Sequence, residues 1–150
     1  MGHTYASILI HAVFSTKGRL PTMSDTFRSR LYEYMGGVAR HDGGKALRIG
    51  GTANHVHLLL SLRPVVSVSD VLRRLKGAST AWVHDTFPGS GDFSWQDGYA
   101  AFSVGQSDSR EVSDYIGRQE EHHRKVTFED EFLAILAENG IEYDPRYVWG

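Results

Sequence analysis

The sequence predicts an α+β fold: a ferredoxin-like or RRM-like antiparallel sheet in the order β-α-β-β-α-β, with helices on one face and further helices at the C-terminus. Three observations carry that expectation. Short β-branched apolar runs alternate with longer stretches whose apolar residues return at three- and four-residue steps. The middle two runs are parted only by Gly51-Thr52-Ala53-Asn54, whose length and composition suit a hairpin. Hydrophobic residues make up 41% of the 150, enough for one core and far from the polar composition of disordered chains.

Tyr5 to Phe14 read as the first strand, apolar and too short for a capped helix, and Ser15 to Pro21 as a basic loop. Ser24 is placed to cap a helix reaching about Arg40, in which Phe27, Leu31, Tyr34, Met35 and Val38 form one stripe and Asp42-Gly43-Gly44 the stop. Ala46 to Gly51 and His55 to Leu62 follow as antiparallel strands. Ser67 or Ser69 begins a second helix running toward Pro88 on Val71, Leu72, Leu75 and Val83. Tyr99 to Val104 read as the fourth strand, Asp108 or Ser109 to about Lys125 as a third helix, and Phe128 to Asn139 as a last helix stopped by Gly140. With no linker or repeat, residues 1–150 are expected to form one domain in which 126–150 is a C-terminal extension.

Composition narrows the chemistry. The absence of cysteine excludes disulfides, thiolate metal sites and a cysteine nucleophile, so any metal must sit on histidine, carboxylate or amide. No apolar run has the length of a membrane span and no secretory leader is evident, which implies a cytoplasmic protein without membrane contact. The net charge of −2 conceals an asymmetry: residues 1–76 carry 11 Lys and Arg against 4 Asp and Glu, or +7, and residues 77–150 carry 5 against 14, or −9. The basic half is a candidate polyanion surface.

Side chains alternate along a strand, so His55 and His57 project to one side, spaced to share a cation, while Val56 faces the other layer. Tyr115 and Gln119 stand four apart in the expected third helix, one turn above each other. Either pair alone is compatible with ordinary packing. Together with a basic half they are the parts that metal-assisted transesterification of a phosphodiester by tyrosine requires. His55, His57 and the Gln119 amide oxygen would hold the cation, and Tyr115 would attack phosphorus, yielding a phosphotyrosine and a free 3′-hydroxyl. One phosphodiester replaces another, so the step is nearly isoenergetic and needs no ATP motif.

His55-Val56-His57-Leu58-Leu59-Leu60 and Tyr115-Ile116-Gly117-Arg118-Gln119-Glu120-Glu121-His122-His123 resemble the one-tyrosine HUH transposases of small insertion sequences, including REP-associated relatives. His11-Ala12-Val13-Phe14-Ser15-Thr16-Lys17, Leu75-Lys76-Gly77 and Trp95-Gln96-Asp97-Gly98-Tyr99 extend the resemblance over most of the chain. It implies cleavage and rejoining of single-stranded DNA at hairpin-marked ends, dependence on Mg2+ or Mn2+, and a homodimer, with Tyr115 acting either on its own chain's histidine pair or, in trans, on the partner's. It assigns His55, His57 and Gln119 to the metal and Tyr115 to the nucleophile. The acidic segment after Lys125 departs from compact mobile relatives and looks like that of stand-alone ones, which leaves a domesticated enzyme or a non-catalytic hairpin-binding module as the alternative.

The remaining candidates divide by residue type. Lys17, Arg19, Arg73, Arg74 and Lys76 are expected to contact DNA phosphates. His122 and His123 read as structural residues at a helix end, His11 as a sheet residue, and Trp95 and Tyr99 as core aromatics, while Asn54 receives no role.

Overall fold

A central strand hydrogen-bonded on both edges organises the sheet. In the computed structural model, which describes residues 2–150, β1 (Leu9–Ser15) lies between β3 (His55–Ser61) and β4 (Ala100–Val104), and β2 (Lys45–Thr52) flanks β3. All pairings are antiparallel, in the order β2-β3-β1-β4. β1 and β3 are covered on both faces and therefore read as continuous apolar runs, whereas the β2 edge carries the exposed Lys45 and Arg48. The β2–β3 hairpin turns at Ala53 and Asn54, and its register sets Gly50 opposite His57 and Thr52 opposite His55.

One face of the sheet presents Ala12, Phe14, Val56, Leu58 and Leu60 to α1 (Asp25–His41) and α2 (Val68–Thr86), where they meet Leu31, Met35, Leu72 and Leu75. The side chain of Ser67 caps α2 by accepting from the Asp70 amide. The opposite face carries the C-terminal helices α3 (Ser109–Gly117), α4 (Gln119–His122) and α5 (Phe128–Glu138). Val13, Ala100 and Phe102 pack on Phe128, Phe132 and Leu136 of α5, and Leu9 and Leu59 pack on Ile116 of α3. Helices thus cover both sides: the two of the split unit on one, the C-terminal group on the other.

Two elements differ from the sequence expectation. The first strand begins at Leu9 rather than Tyr5, because both ladders end there, opposite Ser61 and Val104. The third helix does not run unbroken to Lys125. It breaks at Arg118 (φ −104°, ψ 20°), just after the weak helix former Gly117, and α4 resumes with Gln119. The last helix agrees closely, capped by Thr127 and followed by Gly140 at φ 67°.

Candidate active site

β3 brings both histidines of His55-Val56-His57 to the face covered by the C-terminal helices, where each is fully buried, and Val56 joins the opposite core. Each ring is held from behind. His55 Nδ1 donates to Asn54 Oδ1 at 2.9 Å and lies 3.0 Å from Thr52 Oγ1. His57 Nδ1 pairs with His11 Nε2 on the adjacent strand at 2.8 Å. Both Nε2 atoms therefore face inward.

Tyr115 on α3 and Gln119 on α4 reach the same place. Gln119 Oε1 is 2.9 Å from His55 Nε2, and the Tyr115 ring lies edge-on to His57 with centroids 5.7 Å apart. The helix breaks at Arg118 between them, yet the two side chains converge. They meet on a carboxylate. The Tyr115 hydroxyl donates to Glu131 Oε2, Gln119 Nε2 donates to the same oxygen at 3.0 Å, and Glu131 Oε1 sits 3.0 Å from His57 Nε2 and 3.0 Å from His123 Nε2. His123 Nδ1 donates to the Val126 carbonyl at 2.7 Å.

Electrostatics follow from burial. The His55 and His11 imidazoles are pushed down to about 3, first by desolvation and then by electrostatic interaction with the neighbouring His57. The Tyr115 phenol is raised above its ordinary value, first by burial and then by Glu131. Burial alone would favour a neutral Glu131, but hydrogen bonds from His123 and His57 outweigh it and hold the carboxyl well below the usual carboxylate range.

The structure brings His55, His57, Tyr115 and Gln119 together within one chain. It also places three residues at the site for which the sequence reading gave no role in the chemistry. Asn54 orients His55, His11 supports His57, and His123 points into the cluster rather than ending a helix. The sequence reading missed Glu131 altogether. A signal was present: positions 128, 131, 132, 135 and 136 form the core-facing stripe of α5, and Glu131 is its one acidic member, only 3% exposed.

The basic candidates are scattered. Lys17 is exposed in a 3-10 turn after β1, and Arg73 is exposed beside Asp70. Arg19 lies over Trp149 near Glu129, and Arg74 pairs with Asp42 at 2.8 Å. Lys76 donates to the Asp97 and Gly98 carbonyls at 2.9 Å and sits over the Phe14 ring, and burial lowers its pKa. Trp95 is buried edge-on against Phe14 with its indole N–H donating to Ser79, whereas Tyr99 is 39% exposed.

The family model described as "Transposase IS200 like" matches residues 4–119, more than three quarters of the chain. The chain belongs to the IS200-like transposase family. It is 26% identical to the transposase of insertion sequence IS200 from Salmonella typhimurium over 132 residues, 83% of this chain and 84% of that one. Its fold is shared with the crystal structure of a candidate transposase from Deinococcus radiodurans R1 (TM-score 0.63, 25% identity, 79% of this chain and 96% of that one). It is shared also with a REP-associated tyrosine transposase solved bound to a REP hairpin (TM-score 0.62, 18% identity, 84% and 74%). As an IS200-like transposase the chain is an enzyme of DNA transposition, in a metal-dependent family. His55, His57, Tyr115 and Gln119 all fall inside the matched segment, and His123 and Glu131 lie beyond it. Among the described residues no helix of this transposase is long and apolar enough to cross a membrane.

Proposed function

We propose that the chain cleaves and rejoins single-stranded DNA through a covalent 5′-phosphotyrosine on Tyr115, with His55, His57 and Gln119 holding a divalent cation, Mg2+ or Mn2+. The observation that carries this reading is the convergence of the Tyr115 hydroxyl, both inward Nε2 atoms and the Gln119 amide on one buried cluster. The donor set fits a divalent cation: the amide oxygen suits Mg2+ or Mn2+, and the imidazole nitrogens, backed by Asn54 and His11, favour Mn2+ of the two. When bound, the cation supplies Lewis-acid polarisation of the scissile phosphate.

The chain's own residues do the rest. Tyr115 is held with its proton directed at Glu131 Oε2, the acceptor toward which that proton leaves as the phenolic oxygen forms its bond to phosphorus. The bond from phosphorus to the 3′ oxygen breaks, and that oxygen takes up a proton as a free hydroxyl. In this reading Tyr115 serves the histidines of its own chain, so a homodimer is not needed to complete the site. The hairpin bound by the REP-associated relative supports hairpin-bearing single strands as substrate.

Incubation with such DNA and Mn2+ is expected to leave a protein–DNA adduct that survives denaturation, and Tyr115→Phe to abolish it while hairpin binding persists. An adduct of equal yield in Tyr115→Phe would overturn the assignment. Wild-type binding without any adduct would favour a non-catalytic module.

A further inference from the structure

We propose that His123 and Glu131, which lie beyond the family match, are additional ligands of the cation held by His55 and His57, and that Glu131 ties this cation to the nucleophile. The inference rests on the transposase reading above and names two more residues of the same site.

One nitrogen from each of His55, His57 and His123 and one carboxylate oxygen of Glu131 lie within 4.8 Å of one another. Their directions matter as much as their spacing. The Val126 carbonyl can only accept, so His123 Nδ1 carries its proton there; the Asn54 amide oxygen places the His55 proton on Nδ1 in the same way. In the neutral rings the Nε2 lone pairs of both histidines then face Glu131 Oε1, at 3.0 Å and 3.6 Å, and Gln119 Oε1, at 3.0 Å and 2.9 Å. Acceptors converging on acceptors in a buried space repel one another until positive charge sits between them, as a proton on an imidazole, which makes the hydrogen bond to Glu131 described above, or as a metal cation. His55, His123 and His57, pinned from behind by an amide, a carbonyl and a fourth histidine, His11, have the arrangement that ligating histidines adopt.

Glu131 supports the same conclusion. A buried carboxylate ordinarily pairs with Arg or Lys, but among the described residues its ionic partners are all histidines. Its two oxygens divide the work: Oε1 faces the His55, His57 and His123 imidazoles, and Oε2 receives the Tyr115 hydroxyl and the Gln119 amide, with His122 Nε2 3.3 Å away. A single carboxylate thus spans cation and nucleophile. Its position is set by α5, whose Phe128, Phe132 and Leu136 are buried against Val13, Ala100 and Phe102. The segment after residue 119 is in this view part of the catalytic site.

The test uses the full-length protein stripped with chelator, without DNA, and titrates Mn2+ by electron paramagnetic resonance and Co2+ by its visible ligand-field absorption. Glu131→Gln and His123→Ala are each expected to weaken Mn2+ binding at least about tenfold and to change the Co2+ spectrum, with far-UV circular dichroism unchanged. Wild-type affinity and spectrum in both variants would overturn the proposal. So would tighter Mn2+ binding in Glu131→Gln, which would make the carboxylate a plug rather than a ligand. If Glu131→Gln fails to fold, His123→Ala carries the same measurement. Because no DNA is present, a missing phosphotyrosine adduct would sink the transposase mechanism while leaving these cation measurements standing.

Discussion

His55 and His11 illustrate what burial demands of a single residue. Both are held neutral in the folded chain, with imidazoles pushed down to about 3 mainly by desolvation, whereas in the unfolded chain they take up protons near the ordinary value of 6.5. Between those values the unfolded state binds more protons, so stability falls as pH drops through 6.5 toward 3. The loss approaches about 1.4 kcal/mol per pH unit for each histidine. Glu131 adds to it in the same direction below the usual carboxylate range, because its folded carboxyl stays ionised where the unfolded one protonates. Urea unfolding in chelator is therefore expected to show a midpoint at pH 5.5 clearly below that at pH 7.5. Equal midpoints would mean that these histidines are not neutral when folded. Of these site residues, His55, His57, Tyr115 and Gln119 were legible because strand alternation and helix spacing are local rules. Glu131 was not, since its partners are 74 positions away at His57 and 16 at Tyr115, a separation no local rule reaches.

At the scale of elements, the site depends on how closely α3 lies on β2. A Cβ on Gly50 would collide with the Ile116 carbonyl oxygen, a backbone atom that can yield only if α3 moves. Gly50→Ala is therefore expected to cost about 1–3 kcal/mol and, because Ile116 adjoins Tyr115, to reduce the DNA adduct as well. Gly117→Ala is the control: its Cβ meets only the Arg48 guanidinium, the far end of a flexible side chain that can swing aside. Thermal unfolding of the two variants checks the contrast, and similar melting temperatures would refute the close-contact argument. The elements themselves were largely visible in the sequence, as α2 with its Ser67 cap and α5 with its Gly140 stop show. The break at Arg118 was not read, because Ser109 to Lys125 keeps helical periodicity and a single glycine such as Gly117 is often tolerated inside a helix.

Across the whole molecule the charge asymmetry of the sequence becomes a division of surfaces. The half with net charge +7 builds β1 to β3, α1 and the first half of α2, and the half with −9 builds the rest of α2, β4 and the helices α3 to α5. The cleft beside Tyr115, about 550 Å³, is lined by Glu111, Asp130 and Glu138, so a DNA backbone must be drawn to the protein by cations elsewhere. Which cations serve was not readable from sequence, because Lys and Arg look alike until their partners are known. Lys17, exposed, and Arg73, in a solvent-exposed pair with Asp70, can exchange onto phosphates, whereas Lys76 is committed to the Asp97 and Gly98 carbonyls. Lys17→Ala and Arg73→Ala are each expected to weaken hairpin binding and to flatten the slope of log affinity against log salt by about 0.7. Lys76→Ala is expected to lower the melting temperature and leave that slope unchanged, since it removes an internal tether rather than a phosphate contact. Fluorescence anisotropy across a salt series separates the two cases. A slope flattened by Lys76→Ala and Arg73→Ala but untouched by Lys17→Ala would place the DNA on the groove between α2 and the 94–99 loop, which both side chains line.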